Sequence, residues 1–176
     1  MDFEERISEL RTELAAKNLR PAKKFSLQQE LASLYRQSGQ ALRALPVLRS
    51  AYRDSLERNE REVELQLIRE LAEIEVETGN RQEAIALLRH ELHRRSSRSA
   101  DYFLRLAENY CLQGEIFTSM KSSETAEIYL QHALTYAKCC ENSKSSYKSP
   151  EALAEIRRRA SAALASLELE KQPSDA

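Results

Sequence analysis

Three glycines, Gly39, Gly79 and Gly114, constrain this chain more than anything else in it, because they are its only glycines and each follows the alanine of a Leu-Ala pair by seven positions. The pairs are Leu31-Ala32, Leu71-Ala72 and Leu106-Ala107. A glycine just past a helical run supplies the left-handed residue with which many helices end. Each site therefore reads as the turn of a helical hairpin, and the hairpin recurs three times. Gly39 and Gly79 are followed after five positions by Ala44 and Ala84, whereas Gly114 is followed only after twelve by Ala126. An insertion at 115–125 is expected in the third turn. Spacings of 40 and 35 residues between successive glycines lie in the range of stacked helical repeats.

Composition supports helix and little else. With three Gly, four Pro and no Trp in 176 residues, the expected class is all-α, as one domain or one elongated helical array. The net charge of −1 removes the bulk electrostatic argument for nucleic acid or an anionic membrane. No apolar run reaches bilayer length, and the opening Met1-Asp2-Phe3-Glu4-Glu5-Arg6 is too acidic for a signal peptide. A cytoplasmic or nuclear protein follows. Cys111, Cys139 and Cys140 are odd in number and lack metal-ligand spacing, so free thiols are expected. Neighbouring cysteines on a helix point apart, which disfavours a bond between Cys139 and Cys140.

Apolar periodicity places the elements. Phe3, Ile7, Leu10 and Leu14 form the stripe of a leading helix within 1–20, a cover for the open end of an array. Pro21 stands near the start of the next helix, placed at 26–38 with Leu27, Leu31, Leu34 and Tyr35 inward. Its return is 41–58, with Pro46 early and Leu45, Leu48, Ala51, Tyr52 and Leu56 inward. The second hairpin is 60–78 and 82–95. The third leaves as 100–113, stops at Gly114, and returns from Ala126 through Leu130, Ala133, Leu134 and Ala137. After a polar loop at 141–149, Ser149-Pro150-Glu151 is a strong start for a closing helix within 149–170. Residues 171–176 are expected to be a disordered tail.

With those positions set, the repeat resembles the tetratricopeptide family, whose unit is a helix-turn-helix of about 34 residues with small residues where its two helices touch. Over 25–141, Ala32, Ala72 and Ala107 fall at the close contact of the outgoing helix, and Ala44, Ala84 and Ala126 at that of the returning one. Tyr35 and Tyr110 match the family's aromatic position. The family's tryptophan is replaced by Gln28, Ile68 and Phe103, its second-unit tyrosine by Glu75, and a small residue by Glu91. The resemblance implies a right-handed superhelical stack of antiparallel helix pairs, an α-solenoid whose concave side holds an extended or helical peptide.

Carried over by register, that groove is expected at Gln29, Glu30, Ser33 and Arg36, at Arg69, Glu70, Glu73 and Glu77, and at Asp101, Leu104, Arg105 and Glu108. The lysines and asparagines with which some relatives clamp a C-terminal carboxylate are absent from the matching places. Six carboxylates against three arginines favour a partner with basic residues. The same row is also what a solvated helix face with pairs such as Arg69 and Glu73 looks like.

The expected function is a non-enzymatic protein–protein interaction module, an adaptor or assembly subunit. Two alternatives remain open: a chaperone resembling the three-repeat secretion chaperones of bacteria, and an architectural subunit acting by self-association. No catalytic constellation, phosphate loop, cofactor or metal site is expected. His90 and His93 stand three apart without further ligands, and Arg157 to Arg159 lack interleaved aromatics. Arg94-Arg95-Ser96-Ser97 resembles a basophilic kinase target.

Overall fold

The structure is a computed structural model that describes residues 3–16, 18–93, 100–143 and 149–171. Among the described residues there are eight α-helices and no strand: α1 (Phe3–Leu14), α2 (Pro21–Gln37), α3 (Ala41–Glu57), α4 (Arg61–Glu77), α5 (Arg81–His93), α6 (Ala100–Ser119), α7 (Ser123–Glu141) and α8 (Pro150–Lys171). The chain is all-α in these residues. It divides into two compact units, residues 1–87 and 88–176. The kinase-like motif at 94–97 lies outside the described residues, as do 172–176 of the expected tail.

Four helices end in the same way, and that end explains the hairpins. At Gly39, with φ +74°, the Gly39 N–H donates to Arg36 O (3.0 Å) and the Gln40 N–H reaches back to Tyr35 O (2.7 Å). Gly79, at φ +87°, repeats this, donating to Val76 O while Asn80 N–H donates to Glu75 O. This paired reach satisfies carbonyls that a helix end leaves open. Asn59 (φ +54°) and Lys121 (φ +57°) build the same geometry without glycine, Ser122 N–H donating to Phe117 O and Lys121 N–H to Thr118 O, both at 3.0 Å.

Gly114 does not end a helix. It lies inside α6, buried, and a Cβ built on it would stand 2.6 Å from both Cγ and Cδ2 of Leu130 and 3.2 Å from the Leu130 backbone nitrogen. Glycine is there because α7 passes too close for a side chain, not because the chain turns. Reversal comes seven residues later, at Lys121. Measured from the left-handed residue, the third hairpin has the spacing of the other two: Ala126 follows Lys121 by five positions, as Ala44 follows Gly39 and Ala84 follows Gly79. Gly114 itself precedes Lys121 by seven, the place of Ala32 and Ala72. The expected insertion at 115–125 is therefore the last part of α6, the reversal and the first residues of α7.

Smaller corrections follow local chemistry. The leading helix stops at Leu14 rather than near residue 20, and α2 opens at Pro21 rather than 26, where Arg20 takes the extended backbone (φ −61°, ψ 140°) that a following proline favours. In α3 the inward position is taken by Ser55, fully buried with its hydroxyl donating to Tyr52 O at 2.7 Å, while Leu56 faces outward. Lys171 is the last residue of α8, not the first of a tail.

Each unit has its own core. In the first, Ile7 and Leu10 of α1 join Leu27, Leu31, Ala32 and Tyr35 of α2, Ala44, Leu45, Leu48 and Ala51 of α3, and Leu67, Leu71 and Ile74 of α4. In the second, Ala107 and Cys111 of α6 meet Ala126, Leu130, Ala133, Ala137 and Cys140 of α7 and Leu153, Ile156, Ala160 and Leu167 of α8. Alanine dominates the crossings because helix axes approach to about 8 Å only where side chains are small. Alternate helices run parallel within a unit. Gln29 and Arg36 of α2 bond Glu70 and Glu77 of α4, and Cys111 and Glu115 of α6 face Ile156 and Arg159 of α8.

Candidate functional site

Eight of the expected groove residues lie on α2 and α4 of the first unit, and side-chain bonds across the two helices join five of them, Gln29, Arg36, Glu70, Glu73 and Glu77. Gln29 Nε2 donates to Glu70 Oε1 at 2.8 Å, and Gln66 Nε2 donates to the same oxygen at 2.9 Å. Arg36 bridges the next turn, its Nη1 donating to Glu73 Oε2 at 3.3 Å and its Nη2 bonding Glu77. Glu30 accepts from Arg6 of α1, at 2.9 Å from Nε and 2.7 Å from Nη2. Ser33 is exposed and its Oγ accepts from Gln37 Nε2 at 3.0 Å. Arg69, Glu70 and Glu73 are half-buried, while Glu30 and Glu77 are exposed.

These bonds change the electrostatics expected from counting charges. Glu73 and Glu77 share the Arg36 guanidinium, whose pKa is raised, first by its hydrogen bond to Glu77 and against the cost of its own desolvation. Glu30 is engaged by Arg6, and Glu70 holds two amides. The carboxylates present a row of pre-bonded acceptors, not an open acidic strip. At one end this face runs into an open hollow of about 590 Å³ lined by residues 39–43 with Glu77 and Thr78, where Leu42 is 67 % exposed.

The other four expected residues, Asp101, Leu104, Arg105 and Glu108, lie on α6 of the second unit, Asp101 exposed and the rest half-buried. Counted from Gly114, Leu104, Arg105 and Glu108 take the places that Gln29, Glu30 and Ser33 hold before Gly39. With Lys121 as the turn, the places of Gln29, Glu30, Ser33 and Arg36 fall on Cys111, Leu112, Glu115 and Thr118. That side of α6 is covered by α8. The Cys111 thiol lies 3.9 Å from Ile156 O and from Glu115 Oε1, and Glu115 takes Arg159 Nε at 2.8 Å with a second bond to Nη2. Burial, and then the Glu115 charge, push the Cys111 thiol up to about 12. Arg159 is held above its ordinary value, chiefly by its bond to Glu115.

Polar side chains also lie in the interior, Glu75 and Glu91 among them at places where the family has a tyrosine and a small residue. Glu75, 1 % exposed, accepts from Arg49 Nη2 (2.6 Å) and Asn80 Nδ2 (2.8 Å). In the second unit, buried Asn109 donates Nδ2 to Leu88 O (2.9 Å) and to buried Glu91 (2.8 Å), and accepts from Gln113 Nε2 (2.7 Å). Gln113 Oε1 has no hydrogen-bond partner. An aromatic row joins α6 to α7. Tyr110 is centred 5.2–5.7 Å from His132, Tyr136 and Tyr129, Phe117 lies 5.0 Å from Tyr129, and Phe103 stacks on Tyr136 at 6.4 Å. In the corrected register Tyr110 matches Gln28 and Ile68, and Phe117 matches Tyr35 and Glu75.

The other sequence features resolve locally. Arg157, Arg158 and Arg159 pair with Glu141, Glu155 and Glu115. All three cysteines are free, Cys111 and Cys140 buried and Cys139 half-buried. Among the described residues no group of three His, Cys, Asp or Glu side chains could hold a metal ion. No described helix is long and apolar enough to cross a membrane. No protein-family model matches the chain, and no curated protein matches it.

Proposed function

We propose that this chain is a tetratricopeptide-like interaction module without enzymatic activity, an adaptor or assembly subunit that receives an extended or helical segment of a partner protein on the α2–α4 face. The observation that carries the reading is the cross-bonding of Gln29 to Glu70 and of Arg36 to Glu73 and Glu77. It fixes two parallel helices side by side and orients their polar groups in advance, which lowers the ordering cost that a partner would otherwise meet. The hollow beside Leu42 offers room for an apolar side chain at the end of that face. The common five-residue step from left-handed residue to alanine in all three hairpins supports the repeat reading.

This reading departs from the preference for basic residues that counting charges suggests. Because Glu30, Glu73 and Glu77 already hold arginines, selection by hydrogen bonding and shape outweighs selection for basic residues.

The test is a selection of displayed random peptides on the full chain, followed by titration of enriched peptides against Ser33→Tyr. Ser33 is exposed and bonds only locally, so the variant fills the face while leaving the helix bonds between α2 and α4 in place. Peptides that bind the native chain and lose at least tenfold in affinity for Ser33→Tyr support the proposal. Enrichment no greater than on an unrelated helical protein overturns it, and peptides indifferent to Ser33→Tyr move the site off this face.

A further inference from the structure

No further inference is drawn: the strongest candidate, the half-buried aromatic row of α6 and α7 centred on Tyr110 with Ile128 and His132 exposed on the same helix pair, is an unpartnered face, and nothing in the structure shows what covers it.

Discussion

Replacing Gly114 by alanine separates two explanations of one residue. If glycine were needed for a turn, alanine would cost about 1 kcal/mol through its left-handed strain. Inside a helix, backbone propensity alone makes alanine the better residue by about 1 kcal/mol. The structure adds a third effect. The new Cβ would sit 2.6 Å from Leu130 Cγ and Cδ2, about 1 Å inside ordinary carbon contact, and 3.2 Å from the Leu130 nitrogen. Rotating Leu130 can move Cδ2, but Cγ and the nitrogen retreat only if α7 shifts, and Leu130 is fully buried. Overpacking of this kind costs about 1–3 kcal/mol and occasionally more. Contact outweighs propensity, and the expected net loss is up to about 2 kcal/mol.

A double-mutant cycle identifies the cause. Leu130→Ala alone should cost about 2–5 kcal/mol as a buried truncation. In the double variant the methyl introduced by Gly114→Ala enters space that the leucine side chain has left, so the combined loss should fall short of the sum by at least about 1 kcal/mol. The assay is urea denaturation followed by far-ultraviolet circular dichroism, with Gly39→Ala as control. Gly39 has φ +74° and nothing within 4 Å of a built Cβ, so its alanine variant should lose about 1 kcal/mol and add simply with Leu130→Ala. Additive losses at Gly114, or a more stable Gly114→Ala, would refute the close-crossing argument.

Lys121→Gly relieves a positive φ of 57° and should raise stability by up to about 1 kcal/mol, less the flexibility that glycine adds to the unfolded chain; a lower urea midpoint would contradict it. In native protein at pH 8, alkylation read by peptide mass spectrometry should reach half-buried Cys139 well before Cys111, which should react only on unfolding. The Cys111 pKa lies above its ordinary value of 9.0, so the fold favours the neutral thiol: its contribution is complete below pH 9 and is lost as pH rises toward about 12. Cys111→Ala should accordingly flatten the alkaline fall in stability. Glu75→Ala should cost about 1–2 kcal/mol, near the low end for a buried hydrogen-bonded carboxylate, because Arg49 and Asn80 are exposed enough to return to water. Glu75→Gln should lose less, since Asn80 keeps an acceptor.

Two of the three glycines announce themselves correctly because their role is local. Gly39 and Gly79 are read from a helical stripe that ends, and the structure gives them the left-handed backbone such an end needs. Gly114 carries the same flanking pattern for a different reason, a neighbour on another helix, and no short-range signal distinguishes the two. Lys121 is the converse. A lysine gives no hint of positive φ, so the reversal at Lys121 has no short-range signal, and a count back from Gly114 starts seven positions before the left-handed residue. The apolar stripes of α1 to α4 were legible because burial follows helical period there, with two exceptions: Phe3, which is 44 % exposed, and Leu56, whose inward place Ser55 takes with a hydroxyl bonding within its own helix. Glu75 and Glu91 stand in the sequence only as departures at two packing positions of the repeat, and their bonds, like the burial of Asn109 and Gln113, were not legible, since a charged or amide side chain goes inside only when a specific partner meets it, and those partners come mostly from other helices.

The way α8 lies along α6 has a practical consequence for anyone cutting this chain to map a binding region. A fragment ending before Pro150 strips the lid from Cys111, leaves Glu115 without Arg159, and removes Leu153, Ile156, Ala160 and Leu167 from the core they share with α6 and α7. Such a fragment would display a freshly bared greasy strip with a naked acid in its middle. Proteins captured by it would report on the scissors rather than on the intact molecule.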